Sequence, residues 1–276
     1  MLGFEIDRII QNALNEDIGY GDITTESCVP EGARIHGIFL AKESGVVCGL
    51  QVLQRVFHLI DADTKVSFRI KEGHPVKKGD IIADIEGPAR AVLTGERTAL
   101  NLLQHMSGIA TSTARAVAAV SGTKTRITDT RKTIPGLRGL EKYAVRMGGG
   151  SNHRIGLSDG ILIKDNHIVA SGGIGAAVSF VRANAPHTLK IEVEVSNLAE
   201  LDEALAAHAD IIMLDNMTTE QMKQAVTRIN GRALTEASGN MGDRDLREVA
   251  ETGVDLISIG ALTHTVRAMD ISLKFS

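Results

Sequence analysis

The sequence predicts an α/β protein with a mixed α and β first half and a C-terminal open (β/α)6-type barrel. Three observations carry this. Six apolar, β-rich runs recur in the second half, at 124–130, 160–164, 189–195, 210–215, 233–238 and 255–260. Helical patterns alternate with most of them, which implies parallel strands joined by right-handed crossovers. Six units are too few for an eight-stranded barrel, and no G-x-G-x-x-G opens any unit, so a doubly wound sheet fits less well. The first half instead mixes helices with short β runs. The 276 residues therefore divide into two halves at about residue 110.

Each element follows from local pattern. Ile6, Ile9, Ile10, Ala13 and Leu14 recur at helical spacing over 4–15. The segment EDIGYGDITT (16–25) reads as a structured turn. Short strands follow at 34–40 and 46–48, then a helix over 50–60 with Val52, Leu53, Val56, Leu59 and Ile60 on one face. The runs VSFRI, EGHPVKKGD and IIADIEG read as short strands with turns between them. Together, EGHPVKKGDIIADIEG resembles the hairpin module of lipoyl and biotinyl carriers. Lys77 and Lys78 precede a Gly-Asp turn but lack the flanking pattern of either carrier, which argues against that role. Residues 96–120 read as one long helix between the halves, with Gly108 a point where it bends or breaks. Further helices are expected at 174–185, 197–208, 218–230 and 243–252. Asn197 with Glu200, and Thr218 or Thr219 before Glu220, read as N-terminal caps.

Composition narrows the function. The chain is 43% hydrophobic and 23% charged, as in globular proteins. A net charge of −4 argues against nonspecific nucleic-acid binding, and 3% aromatics argues against base-stacking modules. No apolar run of about 18 residues suggests a membrane span. The N-terminus carries acids early and no small-residue cleavage site, unlike a secretory signal. Cys28 and Cys48 make neither a disulfide framework nor a Cys-rich metal site, and they suit a cytoplasmic protein.

The strand ends hold the chemistry. Active sites of α/β barrels lie at the C-terminal ends of the strands. Those ends read Thr130-Arg131-Lys132, Lys164-Asp165-Asn166-His167, Glu194, Asp215-Asn216, Ser238-Gly239-Asn240 and Ser258-Ile259-Gly260. The loop after the first strand adds Gly148-Gly149-Gly150 and His153-Arg154. The glycines suit either a helix stop or close backbone approach. Arg131, Lys132, His153, Arg154 and Lys164 around one mouth would attract polyanions. The Ser-Gly and Ser-x-Gly ends suit phosphate held by backbone N–H groups. Glu194 and Asp215 suit an oxygen-ligated cation such as Mg²⁺ bridging substrate phosphates. Glu194 reads alternatively as the outward face of a strand that also holds Lys190 and Glu192, and Asp215 equally as a helix cap.

At these residues the chain resembles a known family. TDTRKTIPGLRGLEKYAVRMGGGSNHRIGLSDGILIKDNHI (128–168), IEVEV (191–195), ADIIMLDNM (209–217), EASGN (236–240) and ISIGALTH (257–264) are similar to quinolinate phosphoribosyltransferase. So are EDIGYGDITT (16–25) and GERTALNLLQHMSGIAT (95–111), so the resemblance covers nearly the whole chain. It implies an N-terminal α/β sandwich domain over 1–110, with 266–276 returning to it, and an open α/β barrel over 111–265. It further implies transfer of phosphoribosyl from phosphoribosyl pyrophosphate to quinolinate with loss of CO₂, giving nicotinate mononucleotide for NAD synthesis. It also implies Mg²⁺ and a homodimer, with Arg97 supplied from the other subunit. Residue by residue, Thr130, Arg131, Lys132, His153, Arg154 and Lys164 correspond to the cationic pocket for quinolinate and pyrophosphate. Glu194 and Asp215 correspond to the acids that hold ribose hydroxyls and metal. Lys132, Lys164, Glu194 and Asp215 are the expected catalytic set. Ser238, Gly239 and Asn240, with Ser258, Ile259, Gly260 and His264, correspond to the 5′-phosphate end. The family often has Gly where Asn240 stands; Asn tolerates positive φ, so the loop can keep its shape. A noncatalytic paralogue would be marked by loss of pocket cations, and all five are present.

Overall fold

The computed structural model describes residues 3–275 and groups them into two units. The first comprises residues up to Ala114, Ile134–Gly149 and Val266 onward; the second comprises Arg115–Thr133 and Gly150–Thr265. The sequence reading kept 134–149 with the barrel. That segment instead carries a helix, Arg138–Met147, whose buried Glu141 bonds to His105 of the first unit at 3.0 Å.

The first unit is built on an antiparallel sheet of four strands, in the order Ile271–Phe275, Arg34–Ala41, Ile81–Pro88, Lys65–Phe68. Helices Gly3–Ile18 and Leu50–Ile60 accompany it, joined by the Arg55–Asp7 ion pair at 2.7 Å. Gly45–Val46 pairs with Pro75–Val76 as a separate two-stranded ribbon. The run that resembled one carrier hairpin is thus divided, since Ile81–Pro88 joins the larger sheet. Residues Ile23–Cys28 form a helix rather than a plain turn, because the Asp22 carboxylate accepts the Thr25 N–H at 3.0 Å and caps it. The long helix runs unbroken over Ala89–Ala119. Gly108 does not interrupt it; a Cβ there would strike the Arg267 carbonyl, so the glycine serves close packing.

The second unit is a six-stranded, all-parallel sheet: β1 (Arg126–Thr128), β2 (Ile161–Ile163), β3 (Ile191–Val195), β4 (Ile211–Asp215), β5 (Leu234–Ser238) and β6 (Leu256–Ser258). Their order is β1-β6-β5-β4-β3-β2, so the sheet is open between its first two strands. At β1 that opening receives Ser151, whose N–H donates to the Ile127 carbonyl at 2.8 Å. The strands are buried on both faces, as parallel strands covered by helices are. On β3, Ile191, Val193 and Val195 are buried, while Glu192 and Glu194 share the other face.

Local chemistry sets the crossover helices. Asn197 accepts the N–H groups of Ala199 and Glu200 at the start of Leu198–Ala206. Thr218 forms a reciprocal capping box with Gln221 ahead of Thr219–Ile229. Asp245 caps Leu246–Ala250.

Candidate active site

The C-terminal ends of the six strands surround a cavity of about 490 Å³. Its walls hold Thr130, Arg131, Lys132, His153, Arg154 and Lys164 on the cationic side. Glu194, Asp215, Ser238, Gly239, Asn240 and Ser258 line it as well. Asn216, named with Asp215 at its strand end, and Leu162, Met213 and Glu236, not singled out from sequence, complete the wall. Four expected residues lie elsewhere. Arg97 sits exposed on the long helix of the first unit. Gly260 and His264 sit beside Lys132: a Cβ at Gly260 would meet Lys132 Cδ at 3.0 Å and His264 Cδ2 at 3.1 Å. Ile259 does not fit a phosphate-binding role. Its side chain is buried and its N–H already donates to the Thr128 carbonyl at 3.0 Å.

Short polar bonds shape each wall. Thr130 Oγ1 accepts the Lys132 N–H at 3.0 Å, and Thr263 Oγ1 donates to the Lys132 carbonyl at 2.7 Å. Lys164 Nζ reaches Glu194 Oε2 at 2.8 Å. The Lys164 N–H donates to His167 Nδ1 at 3.0 Å, which holds the turn after β2. Asn240 adopts φ 51°, the left-handed conformation expected of it. Gly239, at φ 91°, admits no side chain, because a Cβ would run into the Asn216 amide.

The segment Ser151–Arg154 is fixed by a buried acid that the sequence reading passed over. Asp129 is fully buried after β1. It accepts Asn152 Nδ2 at 2.5 Å and the His153 N–H at 2.8 Å. His153 Nδ1 accepts the Arg154 N–H at 2.8 Å, and its Nε2 faces Glu192 Oε2 at 3.0 Å. Arg131, Lys132, Arg154 and Lys164 bring positive charge to the mouth. Burial, and then the neighbouring Arg131, hold the Arg154 guanidinium below its usual range. Two like charges held together in this way suit an anionic ligand that relieves their repulsion.

Glu192 and Glu236 were also unrecognised. Each stands two residues before a named mouth residue, Glu194 or Ser238, and so shares its inward face. That period of two was the available signal.

The acids fit a hard cation. Glu194 and Asp215 end adjacent strands and line the same cavity. One oxygen of each is engaged, by Lys164 and by Asn216 Nδ2 at 2.6 Å, with no bond recorded for the other among the described residues. All donors are carboxylate oxygens, the type Mg²⁺ takes when substrate supplies the rest.

Comparison with known proteins places this geometry in context. Residues 22–107 match the quinolinate phosphoribosyl transferase N-terminal domain, and residues 109–274 match its C-terminal domain. The chain is 48% identical over 272 residues to the carboxylating nicotinate-nucleotide pyrophosphorylase of Mycobacterium leprae, covering 96% of this chain and 95% of that protein. It is 44% identical over 269 residues to the probable enzyme of the same name from Bacillus subtilis, covering 98% and 93%. The crystal structure of NadC from Streptococcus pyogenes superposes with a TM-score of 0.94 at 44% identity, covering 100% of this chain and 98% of that one.

Proposed function

The chain belongs to the quinolinate phosphoribosyltransferase family, and from that premise we propose that it transfers phosphoribosyl from phosphoribosyl pyrophosphate to quinolinate. The products are nicotinate mononucleotide, pyrophosphate and CO₂. The observation that carries the reaction to this site is a single cavity in which Arg131, Lys132, Arg154 and Lys164 face Glu194 and Asp215.

Each side chain has work that the reaction requires. Arg131 and Arg154 present planar forks that match carboxylates in bidentate geometry, and quinolinate carries two. Lys132 and Lys164 offset charge that develops on the departing pyrophosphate. Glu194 and Asp215 orient the ribose hydroxyls and would hold Mg²⁺, which when bound neutralises the leaving phosphates. Ser238, Gly239 and Asn240 suit the 5′-phosphate end. The ring nitrogen attacks the ribosyl centre as pyrophosphate leaves. Once ribosylated, that nitrogen is cationic and accepts the electron pair released when the adjacent 2-carboxylate departs as CO₂. The chain's task is positioning and charge neutralisation, with no covalent protein nucleophile. Trapping a ribosyl adduct on Glu194 or Asp215 would refute this.

We infer a homodimer in which the exposed Arg97 serves the partner's mouth. Free Cys28 and Cys48 suit the reducing cytoplasm. Product analysis tests the reaction. Purified protein with quinolinate, phosphoribosyl pyrophosphate and Mg²⁺ should yield nicotinate mononucleotide and pyrophosphate in equal amounts. Nicotinate should be a poor acceptor, because it leaves cations meant for the 2-carboxylate unpaired. Equal use of nicotinate would overturn the assignment of the acceptor.

A further inference from the structure

Directly after β4 the backbone takes a left-handed turn. Asn216 has φ 54°, a region disfavoured for residues that carry a Cβ. Among the described residues, His208, Asn230 and Asn240 are the other non-glycines that share it. His208 and Asn230 follow helix ends, where a left-handed residue is ordinary. Asn216 and Asn240 follow strands instead, and both line the mouth.

Neighbouring contacts impose this conformation on Asn216. Its N–H donates to the Ser238 carbonyl at 3.1 Å, which carries the pairing of β4 with β5 one residue past the strand end. The Arg244 guanidinium donates to the carbonyl of buried Met217 at 2.8 Å. The backbone is therefore held on both sides of Asn216. A glycine would adopt the same φ without strain, so what the asparagine adds is its amide. Asn216 Nδ2 donates to Asp215 Oδ2 at 2.6 Å. A carboxylate oxygen accepts, so this bond fixes which end of the amide is which. Oδ1 then faces Gly239, where a Cβ would strike it. One side chain thus meets both the acid that ends β4 and the loop that follows β5.

We propose that Asn216 is a positioning residue for the donor: its amide fixes the rotation of the Asp215 carboxylate and sets it against the Ser238–Asn240 loop, so that the ribose hydroxyls and the 5′-phosphate of one phosphoribosyl group are met together. This rests on the phosphoribosyl-transfer function proposed above. Asp215 is only half-buried, so without the amide its carboxylate can rotate among several orientations. The charge-assisted bond selects one of them, and by taking Oδ2 it leaves Oδ1 for the ligand. The cations assigned to the acceptor stand after β1 and β2, so the acceptor's contacts do not depend on this amide.

The test reads donor and acceptor separately on the full chain. Asn216→Gly and Asn216→Asp both tolerate positive φ and keep the turn. The first removes the amide, and the second sets a carboxylate against Asp215. Asn216→Gly should raise KM for phosphoribosyl pyrophosphate about tenfold, keep KM for quinolinate within about twofold, and melt near wild type. Asn216→Asp should lose at least as much donor affinity, because the two carboxylates repel. Calorimetric titration of phosphoribosyl pyrophosphate in the absence of acceptor, with and without Mg²⁺, should show the same loss. A donor KM unmoved in both variants would mean that Asn216 only shapes the turn, and would overturn the proposal. So would equal rises in both KM values. Should one variant not fold, the other decides alone. Wild-type protein that binds the donor but never forms nicotinate mononucleotide would refute the proposed reaction and leave this inference to the donor titration.

Discussion

Arg131 lines the mouth and is partly exposed, so it belongs to function more than to the core. Arg131→Ala should cost about a hundred- to a thousandfold in turnover, with a stability change within about 1 kcal/mol. Steady-state rates and a urea melt on the same preparation check both halves. Glu236 predicts a pH effect on stability. Its folded-state value, about 7, lies above the ordinary 4.5, so the folded chain binds the extra proton. Stability therefore declines as pH rises from about 4.5 through about 7. Glu236→Gln should melt higher than wild type above neutrality, with the gap closing toward acid; a constant gap would contradict this. The mouth residues were legible because they end strands. Glu192 and Glu236 were not, although each lies two residues before one that was. A buried carboxylate pair runs against the usual sorting of charge to the surface, so an alternating I-E-V-E-V looks like a half-solvated strand.

Elements were easier to read than residues. Six apolar runs correspond to six strands, each trimmed at its N-terminal end, and those at 124–130, 160–164 and 255–260 at both ends. Gly108 looked like a helix breaker because propensity alone disfavours glycine. Its actual role is close approach to the Arg267 carbonyl, which no local pattern shows. Gly108→Ala should therefore destabilise the protein by about 1–3 kcal/mol despite alanine's better helix propensity. A higher denaturation midpoint would contradict that packing. Gly239 makes the matching point after β5. At φ 91° and against Asn216, Gly239→Ala should distort the loop and weaken binding of the phosphate end. A raised KM for phosphoribosyl pyrophosphate, larger than that for quinolinate, is the expected signature.

At the scale of the whole molecule, the order of elements told two units apart but not where every segment goes. Residues 134–149 lie between barrel motifs in sequence, yet their helix packs in the first unit through the buried Glu141–His105 pair. Only a long-range contact reveals this. Arg97 poses the complementary question, since its proposed target lies on another chain. An Arg97→Ala subunit mixed with a Lys132→Ala subunit should regain part of the activity each lacks alone. No recovery in a verified heterodimer would contradict a shared site. The measurement that reaches the central claim most directly is release of labelled CO₂ from the 2-carboxylate of quinolinate by the purified wild-type chain. Release that requires phosphoribosyl pyrophosphate and Mg²⁺, and that disappears in Arg131→Ala, is the predicted result. Absence of release from folded wild-type protein, or release independent of the donor, would contradict the account.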